Sequence, residues 1–439
     1  MSKSLLMILQ RTYKRIDFIA FLPPILFLIL LLPLLTVKTC SDASYDYSNA
    51  QEVFRHGLQL SSPSDSLRTT YPLHPPLKYL LTSGFFRLGG VNQLSFNLMG
   101  ILLGIVGIVS MYGLGKQISN RSVGIISALL LSISPLYLSN AIHSLTDFQV
   151  AVYVLTALYF YARSKLLWYA LFTSAAVLTK ETALILPIAV LVTEILYLVY
   201  RKPAHASLLH YFRLIIVFTT PLIFYYLWFL YIKQQGGSEW SAFIFAETKN
   251  LGAFATVINN ILTLKLFNSY ASQHIQWFLY LNFNWVYWLM AILGLLTVWQ
   301  HPKQWGKAFI SDQHKATVAI SLFFLGYVIT VLTFQTYAIP RYHLPVLAFL
   351  YIPAAIFLFR VVKKYAIIVA IFISILAFAS LYYSIDPISR TLWGGKFLFG
   401  QIFYDVTDDN MRYNLQFPRL IKERTAYGVT ENICSTYIN

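Results

Sequence analysis

Ionisable side chains interrupt this apolar sequence at a few places, and those places are where chemistry would be done. Asp42 and Asp46 follow directly on the apolar run Phe18–Val37, in the segment SDASYDYSNAQEVFRHG, flanked by Tyr45 and Tyr47. A carboxylate at a water–lipid boundary is partly desolvated, which raises its basicity and suits it to take a proton from a hydroxyl. His74 lies in TTYPLHPPLKYLL, where Pro72, Pro75 and Pro76 stiffen the chain around it. That segment either braces a loop against the membrane surface or holds His74 over a phosphate or a sugar. Asp147 lies in SNAIHSLTDFQVAVYVL, beside His143. There it favours a helix N-terminus, with Ser144 or Thr146 as the cap, or it positions an acceptor or a metal ion. Lys180 and Glu181 form a charge pair between two apolar stretches, an expensive place for charge and often a functional one. The pair either satisfies itself locally or leaves Lys180 to bind a phosphate. Arg341, in YAIPRYHLPVLAFLY, either snorkels to the interface or clamps a phosphate through its planar fork, with Tyr337, Tyr342 and His343 around it.

The elements that must position these residues are membrane helices. Of the 439 residues 57% are hydrophobic and only 11% are charged, well under the roughly 25% charge of soluble domains. The apolar runs are long enough to cross about 30 Å of hydrocarbon. The sequence therefore predicts an all-α polytopic membrane protein. Spans fall near 18–37, 93–115, 122–140, 147–162, 166–180, 182–200, 212–232, 276–299, 316–335, 342–359 and 365–383, about eleven in all. The net charge of +16 does not point to nucleic acid, because the Lys and Arg residues are spread between apolar runs. Lys3, Arg11, Lys14 and Arg15 precede a first apolar run too long for a signal peptide, so that run reads as an uncleaved span. Cys40 and Cys434 have no metal or redox spacing.

Charge sets the expected sidedness. With the N-terminus in the cytoplasm, the inner loops hold Lys116, Arg121, Arg163, Lys165, Arg201, Lys202, Arg213, Lys303, Lys307, Lys315, Arg360, Lys363 and Lys364. The same assignment places Asp42, Asp46, His74, Asp147, Lys180, Glu181 and Arg341 together on the outer face, with 14 of the 17 acidic residues. That grouping was not an input to the assignment, and it points to work done at the outer leaflet. The membrane unit is read as residues 1–383, its first outer loop as 38–92, and 384–439 as an external tail. Within the first loop, Asn49–Leu60 and Leu77–Leu88 have amphipathic helical spacing and fit interfacial helices. The second long outer segment, Lys233–Gln276, carries a mixed helix near Phe243–Phe267. Glu194, inside the sixth span, stands alone in the sequence.

An acid directly after span one, an AQEVFRHG helix, HPPL, an acid opening a later span, the segment VLTKE and a late RYHLP together resemble the GT-C class of integral membrane glycosyltransferases. The nearest pattern is family 39, the protein O-mannosyltransferase-like and aminoarabinose-transferase-like enzymes. Asp42 stands fifteen residues before Gly57 and so matches the acid of that family's first loop; Ala43 stands where the family has Glu. This leaves Asp46 as a substitute to consider. The resemblance implies a polyprenyl-phosphate-sugar donor and transfer with inversion at the outer face of the plasma membrane. It implies Asp42 as the general base, with Asp147 orienting donor or acceptor. Lys180, Arg341 and His74 would stabilise the leaving phosphate. It points to no particular cofactor, leaves a divalent cation open, and does not fix the acceptor as protein, lipid or glycan. The rival expectations are a transporter or flippase of lipid-linked sugars and a non-catalytic membrane subunit.

Overall fold

The computed structural model describes residues 18–36, 42–58, 75–201, 208–234, 284–299, 312–334 and 340–378, a few isolated positions, and two short strands. All the long elements are helices. In chain order they are α1 (Leu22–Leu31), α2 (Asp42–His56), α3 (Leu77–Gly89), α4 (Gln93–Ile118), α5 (Arg121–Ser132), α6 (Pro135–Ile142), α7 (Thr146–Ala162) and α8 (Leu166–Val177). Then come α9 (Ile185–Arg201), α10 (Leu208–Gln234), α11 (Asn284–Trp299), α12 (Asp312–Phe334), α13 (Leu344–Leu347), α14 (Tyr351–Val361) and α15 (Ala366–Phe378). Lys396–Phe397 and Gly400–Gln401 pair as an antiparallel ribbon.

By length and composition, five of the described helices can cross a membrane, or six if the bent pair α5–α6 counts as one span. Each of the eleven predicted stretches contains a described helix. The chain is a multi-pass membrane protein, and its long helices carry apolar residues both inward and outward. Leu102, Val109, Ile223, Leu295 and Ile375 face out, while Ile108, Met111 and Leu114 face the core.

The centre is built from α4, α5 and α7, with α8, α14 and α12 around them. Gly100 lets α4 lie directly on the turn after α6, where a Cβ would run into the Ala141 carbonyl oxygen. The span expected at 122–140 is broken, because Pro135 cannot continue the helix and Ser134 before it is pushed out of helical geometry; the two halves meet at 61°. Asn92 and Asn120 cap α4 and α5 by accepting from Ser95 N at 2.9 Å and Val123 N at 3.1 Å.

The first outer segment contains the two expected helices, but α2 begins earlier than its apolar spacing indicates. Asp42 and Asp46 lie on the helix rather than in a loop before it. The reason is packing. Ala43, Ala50 and Val53 are buried, and Tyr47 and Phe54 stack edge-on against Phe86 of α3. That tertiary contact outweighs the weak helix preference of the Ser, Asp and Asn residues. The helix ends where Gly57, at φ +75, takes the left-handed conformation.

Glu194 does not stand alone. It accepts from Tyr161 Oη at 2.9 Å and pairs with Lys315 Nζ at 2.6 Å, which ties α9 to α7 and α12. The paired charge thus holds three helices together. Cys40, Cys434, nearly all of the 243–267 segment and nearly all of the tail lie outside the described residues.

Candidate active site

The site is assembled at one end of the helix bundle by four segments far apart in sequence. The first is α2, which carries Asp46 in its second turn. The second is the start of α3, where Pro75 and Pro76 deliver the chain into the helix and Leu77 N donates to Leu178 O at 3.0 Å. This bond ties the HPPL segment to the residues just before Lys180. Lys78 and Tyr79 follow at once in the first turn of α3, both buried.

The third segment is the turn before α7. Ser144 sits at φ +46, and Gln149 Nε2 holds it by donating to the Ser144 carbonyl at 3.2 Å and to its Oγ at 2.9 Å. A left-handed serine stores about 1–3 kcal/mol that its surroundings must offset. Neither Ser144 nor Thr146 caps α7, contrary to the sequence reading, because both hydroxyls are engaged elsewhere. Ser144 Oγ serves Gln149, and Thr146 Oγ1 accepts from Lys78. Asp147 does lie in the first turn, where a carboxylate is favoured by the helix dipole. The fourth segment is the 3-10 turn Pro340–His343, which presents Arg341 and Tyr342.

Two ion-pair groups result, and they are adjacent. In one, Lys78 Nζ donates to Asp46 Oδ2 and to Thr146 Oγ1, the latter at 3.2 Å, while Tyr79 Oη approaches Asp46 Oδ1 at 3.5 Å. In the other, Asp147 receives Lys180 Nζ on Oδ1 at 2.7 Å and Arg341 Nε on Oδ2 at 3.4 Å. Lys180 Nζ lies 4.4 Å from the centre of the Tyr342 ring, and the Arg341 guanidinium 5.7 Å from it. Thr146 and Asp147 join the two groups through one peptide bond. Asp46, Lys78, Asp147, Lys180, Arg341 and Tyr342 are all buried. Lys180 therefore turns to Asp147 at the start of the neighbouring helix α7. Glu181 opens the short 3-10 turn that follows, and its charge reaches Tyr79.

Burial, with the Asp46 charge next in importance, pushes the Tyr79 hydroxyl well above its usual range, so it stays protonated and can donate. Burial pushes the His143 imidazole down to about 3, aided by the Lys78 charge. His143 is therefore a neutral packing group, its Nδ1 3.3 Å from Asn97 Oδ1, rather than a partner of Asp147.

The structure thus brings together Asp46, Asp147, Lys180, Arg341 and Tyr342 among the residues singled out in the sequence. His74 and the Asp42 side chain lie outside the described residues; Asp42 itself is the first residue of α2, one turn before Asp46. Lys78 was missed. Its signal was available, since a lysine heading the otherwise apolar stretch KYLLTSGFF cannot be buried without a carboxylate partner. Among the described residues no three His, Cys, Asp or Glu side chains converge as metal ligands.

Residues 73–229 match the family of dolichyl-phosphate-mannose-protein mannosyltransferases. The chain superimposes on ArnT from Cupriavidus metallidurans, a structure bound to undecaprenyl phosphate, with a TM-score of 0.56 and 17% identity. That match covers 92% of this chain and 70% of ArnT. The fold is that of the GT-C membrane glycosyltransferases. The oligosaccharyltransferase of Archaeoglobus fulgidus shares the GT-C fold more distantly, at a TM-score of 0.51 and 13% identity over 91% of this chain and 59% of the archaeal one. An uncharacterized protein of Aquifex aeolicus is 31% identical over 147 residues, which is 31% of this chain and 29% of the relative. The chain therefore spans under a third of that curated relative and just over half of the archaeal enzyme. In this GT-C-fold chain the family match begins beside His74 and takes in Lys78, Asp147 and Lys180, so three of the five site charges lie inside it.

Proposed function

We propose that this chain is a glycosyltransferase that moves a sugar from a polyprenyl-phosphate donor to an acceptor hydroxyl, with inversion at the anomeric carbon. The observation that carries the reading is the buried meeting of Lys78, Lys180 and Arg341 with Asp46 and Asp147 at one end of a GT-C-fold helix bundle. A lipid-borne phosphate needs cations placed at the depth of the headgroups, and a sugar acceptor needs a carboxylate beside them. ArnT, which shares the fold, has been crystallised with undecaprenyl phosphate.

In the proposed reaction the acceptor oxygen attacks the anomeric carbon as the bond from that carbon to the phosphate oxygen breaks. The acceptor proton passes to a carboxylate, and the polyprenyl phosphate leaves with the bonding pair. Lys180 and Arg341 stabilise the charge that grows on the phosphate. Arg suits this task because its five donors exceed what one carboxylate oxygen takes up. His74 is a further candidate for the same role. Asp147 holds the two cations at a fixed spacing, and Tyr342 supports both through its ring face.

The general base is assigned to Asp42. Asp46 is engaged by Lys78 and Tyr79, which makes it the anchor of α2, while Asp42 stands one turn earlier on the same helix face. The site faces outward, with the basic helix ends in the cytoplasm.

Membranes containing the protein, supplied with radiolabelled polyprenyl-phosphate sugars, test the reading. Label should reach an acceptor with wild type and not with Asp42→Asn. Transfer that survives Asp42→Asn but not Asp46→Asn moves the base to Asp46. Donor that crosses the bilayer unconsumed makes the chain a flippase. Cysteines placed at Ser64 and Asn410 should react with an impermeant reagent in sealed cells; reaction only after permeabilisation would reverse the proposed sidedness.

A further inference from the structure

The end of the bundle opposite the candidate site holds a second concentration of cations, and these line a cavity. Arg341 opens the helical run that ends with Arg360 and Lys363, so about twenty residues, or roughly 30 Å of helix, separate the two ends. That is the thickness of a bilayer's hydrocarbon core. At the far end, Arg360, Lys363 and Lys364 line an open-sided cavity of about 440 Å³. Ser122 and Ile126 at the start of α5, with Phe359, also line it, and none of its lining residues is a carboxylate.

Helix-end lysines that only orient a membrane protein need charge but no particular arrangement. Three features here go beyond that. The three residues line one hollow of ligand size, with Lys364 Nζ 5.0 Å from the centre of the Tyr365 ring beside it. Arg360 is held in place, with Nη1 donating to the Thr297 carbonyl at 2.6 Å. Lys363 is kept at φ +50, a left-handed conformation that glycine would adopt without strain, in the tight turn between α14 and α15. Beside the cavity, Val361, Tyr365 and Ile368 are exposed at 57%, 54% and 64%. An apolar, tyrosine-bearing rim of that kind belongs at the level of lipid headgroups.

We propose that this cavity binds the phosphate headgroup of an anionic phospholipid in the leaflet opposite the candidate site. The phosphate sits among Arg360, Lys363 and Lys364, and the acyl chains run down the apolar flank past Ile368. This binding is independent of the transferase reaction and stands or falls without it.

The test uses the full chain purified in a neutral detergent, with bound lipid measured by native mass spectrometry. Phosphatidylglycerol should be retained in preference to phosphatidylcholine, by about five-fold for each cation engaged. The triple variant Arg360→Gln, Lys363→Gln, Lys364→Gln should lose that preference. Lys116→Gln with Lys165→Gln, which removes two exposed cations of the same face outside the cavity, should keep it. Lys363→Gly removes one cation while relieving the backbone, so it should fold at least as well as wild type and still lose about five-fold in the preference. Equal retention of the two lipids by wild type overturns the proposal. So does an equal loss in the control variant, or an undiminished preference in Lys363→Gly. Displacement of phosphatidylglycerol by glycerol 3-phosphate at matched concentration would make the ligand a soluble phosphate and overturn the lipid assignment.

Discussion

Replacing Lys78 by methionine should destabilise the protein mainly through the carboxylate it leaves behind. Lys78 is fully buried and Asp46 nearly so. Breaking a buried pair by removing one partner costs about 3–5 kcal/mol, because the other charge stays desolvated. The lower end applies here, since Asp46 retains the Tyr79 hydroxyl on its second oxygen and a little solvent access. Lys78→Met should therefore cost about 3 kcal/mol, and Asp46→Asn, which strands the lysine instead, about the same. The double variant has no stranded charge, so its second substitution should restore much of the loss. Its total should fall below about 3 kcal/mol, which makes the coupling between the two sites more negative than about −3 kcal/mol. Nine tryptophans make intrinsic fluorescence a direct readout of unfolding in detergent at one fixed scan rate. The two single variants should melt well below wild type and the double variant no lower than either. Losses that simply add in the double variant would refute the pairing of Asp46 with Lys78.

Three further outcomes follow from the same geometry. Arg341→Lys keeps the charge but removes the planar fork, so kcat/KM for transfer should fall about ten- to a hundred-fold, the worth of one charge-assisted hydrogen bond; unchanged kinetics would remove Arg341 from the phosphate site. Gly100→Ala should cost about 1–3 kcal/mol, because a Cβ there meets backbone at Ala141 rather than a side chain that can move; thermal unfolding against wild type measures it. The folded His143 imidazole is held down at about 3, whereas the unfolded one titrates near 6.5. Its contribution is fully present above pH 6.5 and is lost as pH falls toward 3, by at most about 1.4 kcal/mol per unit. Wild type should therefore lose about 1 kcal/mol more than His143→Asn between pH 7.5 and 5.5, and parallel melting curves for the two would contradict its burial as a neutral ring.

The helices were legible in the sequence because membrane-spanning segments need only length and apolarity, and those are local properties. Asp147, Lys180 and Arg341 were legible for the complementary reason: a charge beside an apolar run is costly, so its presence asks for an explanation. Partner choice was not legible. Lys180 has Glu181 as its neighbour in the chain but reaches Asp147, a helix away, and Glu194 looked solitary because Lys315 and Tyr161 arrive from other helices. Ser144 and Thr146 looked like caps because local spacing allows it, yet contacts to Gln149 and Lys78 claim their hydroxyls. Lys78 itself was hidden inside an amphipathic pattern that fits an interfacial helix equally well, and only the fold of α2 onto α3 reveals why a lysine belongs there.

The pairing of Lys180 with Asp147 also bears on how the protein is made. Both charges lie on the neighbouring spans α7 and α8 or at their ends, and they face each other when those two helices form a hairpin. The pair can therefore form as the two spans enter the bilayer together, and neither charge has to wait in hydrocarbon for a distant partner. Arg341 reaches Asp147 only after most of the chain has been synthesised. Assembly of the site is thus staged. An early neutral ion pair is compatible with insertion, and the late arrival of Arg341 adds a second cation to Asp147. A nascent chain released before residue 340 would carry a quiet, self-neutralised version of the site.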